Sequence, residues 1–87
     1  MKNIFEMVNN RLNILLSEQE KIYSTMDFFE NRCNIKVYKK ERNVTKMIYF
    51  IDLKGLYDST KMLNPNNLAM ICYYVIMKSI GGEINGN

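Results

Sequence analysis

The sequence predicts an α+β fold in the order helix, β-hairpin, helix (αββα) for a chain of 87 residues. Apolar residues recur at helical spacing through the first third, and a central turn separates a segment of alternating apolar and polar residues from a mostly apolar one. A final apolar segment lies between an Asn-Pro and a Gly-Gly pair. The length is that of one domain, so we expect a single small α+β domain over residues 1–87.

The first third carries an apolar stripe with alternating three- and four-residue spacing, which is typical of a helix that pairs with another helix. We predict one helix over about 3–32, roughly 45 Å long, which exceeds the width of a compact domain of this size. The helix therefore either protrudes and pairs in a homodimer or breaks at Ser17, where residues 17–20 match a capping box. The predicted dimer interface, with Gln19 setting the register, consists of Phe5, Val8, Leu12, Leu15, Ile22, Met26 and Phe29.

A β-hairpin is predicted next, with strands over about 34–40 and 45–53 and a turn over 41–44, in which Asn43 takes a left-handed conformation. The alternation places Ile35 and Val37 inward, and Lys36, Tyr38 and Lys40 outward. The second strand is apolar on both faces, with Met47, Tyr49, Ile51 and Leu53 on one and Ile48 and Phe50 on the other. The second face needs cover from the last helix, from a third strand within 55–63, or from a partner.

The last helix is predicted over about 65–80. Asn64 is its N-cap, Pro65 its first residue, and Gly81-Gly82 its stop. Its residues are apolar almost all round, which predicts burial on every side. Residues 56–63 suit either a short helix capped by Asp58 or Ser59 or an edge strand, and residues 83–87 form a polar tail.

The composition argues against an enzyme. The chain has no histidine, the commonest general base, and no glycine-rich phosphate loop. Cys33 and Cys72 fall on apolar positions and are expected in the core, so we predict no cofactor and no metal site. Glu6 interrupts the N-terminal apolar residues and the longest apolar run, 68–77, is too short for a bilayer, so we expect a cytoplasmic protein without membrane contact.

The hairpin concentrates positive charge, because residues 32–46 carry six basic residues and one acid, Glu41. The candidate binding residues are Lys36, Tyr38, Lys39, Lys40, Arg42 and Lys46. Cations on a twisted ribbon can follow a phosphate backbone, and Tyr38 can stack on a base. Exposed lysines also keep sheet edges from aggregating, and the same patch suits an acidic groove on a protein.

Three functions are weighed for the chain. The first is a small non-catalytic accessory protein that docks on a larger protein and modulates or inhibits it. Asn, Ile, Lys, Tyr and Phe are abundant, and their AT-rich codons suit a phage or another mobile element. The alternative is a nucleic-acid-binding regulator that uses the basic hairpin. The third is a structural homo-oligomer.

The stretch KMIYFIDLKGL, residues 46–56, resembles the second wing strand and the following Lys-Gly turn of some winged-helix regulators. This resemblance implies a helix-turn-helix before the hairpin and contact between the hairpin and nucleic acid. The order helix, hairpin, helix is also similar to that of prefoldin-like subunits.

Overall fold

The computed structural model describes residues 2–19, 21–61 and 64–85, with three helices and three strands among them. The strands form one antiparallel sheet in the order β1-β2-β3. The α+β class is thereby confirmed, with one strand and one helix more than the sequence predicted. The elements in chain order are α1 Lys2–Leu16, β1 Ile22–Phe29, β2 Arg32–Glu41, β3 Val44–Asp52, α2 Leu53–Thr60 and α3 Pro65–Asn85.

The predicted helix over 3–32 is wrong, because α1 ends at Leu16 and residues 22–29 form β1. Ser17 closes α1 and does not cap a second helix: its hydroxyl donates to the carbonyl of Ile14 at 2.5 Å. β1 is rich in aromatic and β-branched residues, which favour strands. The apolar spacing fits both structures, because Ile22 and Met26 are four residues apart. Residues at that separation share one face of a helix and, since four is even, one face of a strand as well.

The helices pack on one face of the sheet, which we call the inner face. Phe5, Val8, Leu12 and Leu16 of α1 are buried at helical spacing. They pack with residues of the sheet and of α3 into one core that also contains Cys33, Ile35, Val37, Ile51, Leu68, Ala69, Cys72, Ile76 and Ile80. The two cysteines are buried, as expected.

The predicted hairpin is confirmed as β2 and β3, with a bulge that the sequence analysis missed. Val37 is opposite Tyr49, whereas Tyr38 is opposite Met47, so Ile48 is the extra residue. The bulge turns Met47 to the face that the helices leave uncovered, which corrects its predicted place beside Tyr49 and Ile51. Leu53, also assigned to that strand, is instead buried as the first residue of α2.

Two local predictions around the hairpin need correction. In the β2–β3 turn, Arg42 takes the left-handed conformation, with φ 55°, and Asn43 does not. The short helix proposed within 56–63 exists, but it is α2, and its N-cap is Asp52, whose carboxylate accepts from the amide of Gly55 at 3.0 Å. An edge strand is excluded for 56–60, and residues 62 and 63 lie outside the described residues.

The start of α3 is confirmed. The Asn64 side-chain oxygen accepts from the amide of Asn66 at 2.9 Å, and Pro65 is the first helical residue. The predicted stop at Gly81-Gly82 is wrong, because the helix continues to Asn85. A glycine costs a helix only about 1 kcal/mol relative to alanine and does not break it as proline does.

The prediction that α3 is buried on every side is also wrong. Met70 is 51% exposed and Tyr74 is 67% exposed. The sheet and α1 cover one side of the helix, and no further described element lies over the other.

The resemblances do not extend to the fold. A single helix, α1, precedes the sheet within the described residues, where a winged-helix regulator needs a helix-turn-helix. The Lys-Gly turn of the motif lies inside α2. The likeness to prefoldin-like subunits fails as well, because β1 replaces the second half of the long helix.

Candidate functional site

The sheet has an outer face that no described helix covers. The strand register sets residues of the three strands side by side in rows across this face. The outer-face residues are Tyr23, Thr25, Asp27 and Phe29 of β1, Arg32, Asn34, Lys36, Tyr38 and Lys40 of β2, and Thr45, Met47, Phe50 and Asp52 of β3. An antiparallel sheet with one solvated face normally shows polar residues there, so the aromatic side chains on this face need an explanation.

An aromatic row crosses the middle of the outer face. Tyr38 is opposite Tyr23 on one side and Met47 on the other. The two tyrosine rings stack, with centroids 5.5 Å apart and planes inclined by 24°. Phe50 lies in the next row, opposite Lys36, and is 49% exposed. These two rows therefore present three aromatic rings that are only partly covered, and Phe29, 69% exposed, lies at the end of the face away from the turn.

A basic cluster, formed by Lys40, Arg42 and Lys46, lies at the end of the sheet next to this row. Lys40 is two residues beyond Tyr38 on β2, Arg42 is in the β2–β3 turn, and Lys46 is at the start of β3. All three are exposed, and none forms an ion pair with a described carboxylate. Their charges are thus accessible to an anionic partner.

Lys39 strengthens the positive field at this end of the sheet. It lies directly opposite Lys46 on the neighbouring strand, and like charges in that position destabilise a sheet. Its ion pair with Glu41, at 3.4 Å, offsets part of that repulsion. Lys39 and Lys46 alternate with the outer-face residues along their strands. They therefore lie beside the outer face and not on it.

Lys36 is also paired, but its carboxylate partner lies on the neighbouring strand β1. Its ammonium group donates to Asp27 at 2.8 Å. This hydrogen bond, together with the charge of Asp27, raises the pKa of Lys36. The next row holds Asp27, Asn34 and Asp52, and Arg32 lies beyond it, so the excess of positive charge on the outer face is at the turn end.

The structure brings together most of the predicted binding residues. Lys36, Tyr38 and Lys40 share the outer face as expected, and Arg42 lies at its end. The sequence analysis missed Tyr23, Met47 and Phe50. Tyr23 was missed because 22–29 was assigned to a helix, although the run Ile-Tyr-Ser-Thr is itself a strand signal.

The seven residues of the predicted dimer interface do not form one helical stripe. Phe5, Val8 and Leu12 are fully buried in the chain's own core, and Leu15, Ile22 and Met26 pack against it. Phe29, at the end of β1, is 69% exposed. Self-association stays a prediction, and it requires a different surface.

The two thiols do not offer a nucleophile at neutral pH. Burial, helped by the charges of Asp52 and Asp27, raises the pKa of Cys33 to about 11. Burial also raises the pKa of Cys72 to about 12. Both thiols are therefore protonated in the folded chain. No group of three or more metal-ligating side chains lies together in the part of the chain that the structure describes.

Comparisons with known protein families, with curated proteins and with solved structures find no match to this chain. Within the described residues, no helix combines the length and the apolar character needed to cross a membrane. The functional argument therefore rests on the geometry of the outer face.

Proposed function

We propose that this chain is a non-catalytic nucleic-acid-binding protein that holds a single strand on the outer face of its sheet. The observation that carries the proposal is the aromatic row beside the basic cluster. From the sequence, base stacking rested on Tyr38 alone. The fold adds Tyr23 and Phe50 to the same face, which favours nucleic acid over the protein partner first expected.

A single strand suits this face better than a duplex. Partly exposed rings can stack only on bases that are themselves unstacked, and such stacking contributes about 1–3 kcal/mol per base. Lys40 and Arg42 supply cations for the phosphates that accompany those bases. At the opposite end Asp27 is paired with Lys36 and Asp52 adds a further negative charge, so the strand is expected to bind across the turn end of the sheet, where the cations are exposed.

A direct test measures the fluorescence anisotropy of a labelled mixed-sequence 12-nucleotide strand at low salt. We expect Tyr38→Ser to weaken binding by about 5- to 150-fold, the equivalent of one lost stacking contact. Lys40→Glu should also weaken it, whereas Lys78→Glu, on the exposed side of α3, is the matched control for charge. Failure of the wild type to bind, or equal affinity of all variants, would overturn the proposal.

Docking on a larger protein is a second candidate, favoured by one observation. Met70 and Tyr74 are exposed on α3, on the opposite side of the molecule from the outer face. Recovery of the tagged protein from its native cells, with and without nuclease treatment, separates the two candidates. Material that is lost after nuclease treatment supports the nucleic-acid proposal, and one protein retained after it supports this second candidate.

A further inference from the structure

The two edges of the sheet differ in how their backbone groups are satisfied. On the free edge of β1, the side-chain amide of Asn13 accepts from the Ser24 amide at 2.8 Å and donates to the Ser24 carbonyl at 2.9 Å. The Ser24 hydroxyl donates to the side chain of Asn9 at 2.7 Å. Helix α1 thus covers the middle of this edge, at Ser24, in the place of a neighbouring strand.

The free edge of β3 has no such cover from the described residues. No backbone or side-chain hydrogen bond from outside β2 reaches the backbone of residues 44–51 among them. Val44, Met47 and Phe50 are between 49% and 64% exposed, and Lys46 is the only charged residue before Asp52. Natural edge strands are usually short, charged or covered, so an open apolar edge nine residues long indicates a partner strand.

The hydrogen-bond pattern identifies which residues of β3 can pair at this edge. Ser24 is opposite Val37, and its backbone groups bond to Asn13 on the far side of β1. The backbone groups of Val37 therefore point to β3, where they form hydrogen bonds with Tyr49. Alternation then turns the backbone groups of Phe50 and the amide of Asp52 to the free edge, while the Asp52 carbonyl belongs to the first turn of α2.

On the turn side of the bulge, a separate hydrogen bond shows which way the backbone groups point. The Lys40 amide donates to the Lys21 carbonyl at 2.9 Å, so the backbone of Lys40 faces β1. Thr45, which lies opposite Lys40 on β3, therefore forms no backbone hydrogen bond with Lys40. The backbone groups of Thr45 and Met47 point instead to the free edge. Four residues of β3 are thus available to a further strand.

We infer that a second copy of this chain pairs with β3 through its own β3, antiparallel about a two-fold axis. In one register all four edge-facing residues meet edge-facing residues: Met47 lies opposite the partner's Phe50, and Thr45 opposite the partner's Asp52. The two exposed apolar side chains then cover each other, once on each side of the axis.

Charge and shape favour a second copy as the occupant. Antiparallel pairing sets the basic cluster of one copy beside Asp52 of the other, which is complementary, whereas parallel pairing would set like charges together. An apolar groove of about 320 Å³ runs along the same edge, lined in part by Ile51, Gly55, Leu56 and Val75. In this register the partner's Val44 lies at the end of the groove, where the exposed valine side chain can be buried.

The assembly would join two sheets into one of six strands. Its outer face would continue across the axis and carry both aromatic rows. The assembly shares Met47, Phe50 and the basic cluster with the proposed site, but the inference rests on the backbone groups at the edge of β3 and does not require the proposed function.

The first test measures the mass of the wild-type chain by light scattering after size exclusion. We expect a dimer at about 100 μM chain. Thr45→Pro removes an edge-facing amide without removing a bond to β2, and it should give a monomer with unchanged circular dichroism. Thr45→Val retains the amide and should remain a dimer. A monomeric wild type, or a dimeric Thr45→Pro variant, would overturn the inference.

A second test remains decisive if Thr45→Pro does not fold. Met47→Cys and Phe50→Cys in one chain create two cysteines that are opposite each other only across the inferred axis. Mild oxidation should yield a cross-linked dimer, while Thr45→Cys with Phe50→Cys, out of register, should not. Equal cross-linking of the two variants would contradict the register. A monomeric chain that still binds the 12-nucleotide strand would overturn this inference alone.

Discussion

Asn13 shows how a single side chain can control the edge of a sheet. It lies on α1 and reaches two backbone groups of Ser24, which is 5% exposed. A polar residue at helical spacing next to apolar ones gave no sign of this role in the sequence. The contact links the position of α1 to β1, and it leaves β3 as the edge available to a partner.

Replacing Asn13 tests this role. Asn13→Ala leaves the amide and carbonyl of Ser24 without their protein partner, so we expect the free energy of unfolding to fall by about 1–3 kcal/mol. Urea unfolding followed by circular dichroism measures the change. Asn10→Ala, at an exposed position of the same helix, should change stability by about 0.5 kcal/mol or less. Equal effects of the two substitutions would show that the Asn13 amide does not hold the edge.

At the scale of elements, the ends of the helices separate what could be predicted from the sequence from what could not. The Asn64-Pro65 start of α3 was predictable because its cap chemistry is local. The hairpin was predictable from its alternation. The end of α1 was not, because the apolar spacing of 22–29 fits a strand as well as a helix, and only pairing with β2 distinguishes the two.

That error also limited the prediction of the site. Because β1 was not predicted, Tyr23 could not be assigned to the outer face. The bulge that exposes Met47 could not be predicted either, because it depends on pairing between strands and not on a local sequence pattern. The basic residues were predictable, because their charge is a property of composition and position. The aromatic row was not, because it is assembled from three strands.

Asp52 joins two elements, since it ends β3 and caps α2. Asp52→Ala removes the acceptor for the Gly55 amide, so we expect stability to fall by about 0.5–2 kcal/mol. Asp52→Asn, which retains a capping oxygen, should restore most of the loss. Thermal and urea unfolding measure both changes. An alanine variant as stable as the wild type would mean that α2 is held by the burial of Leu53 and Tyr57 alone.

At the scale of the whole molecule, the two faces of the sheet differ in what they carry. The inner face carries the helices and the core, while the outer face carries the aromatic row and ends in the basic cluster. Lys36 is paired with Asp27, whereas Lys40 and Arg42 have no ion pair with a described carboxylate, and we propose that they bind phosphates. Binding through this face should therefore combine stacking, which is weakly dependent on salt, with a salt-dependent electrostatic contribution.

The most direct measurement of that claim is the affinity for the 12-nucleotide strand as a function of salt concentration. If Lys40, Arg42 and Lys46 each neutralise a phosphate, log K should fall against log salt with a slope of about −2, or roughly −0.7 per contact. Lys40→Gln should reduce the magnitude of that slope by about 0.7, and Tyr38→Ser should lower the affinity and leave the slope unchanged. A slope near zero, or one that Lys40→Gln does not alter, would contradict binding at this face.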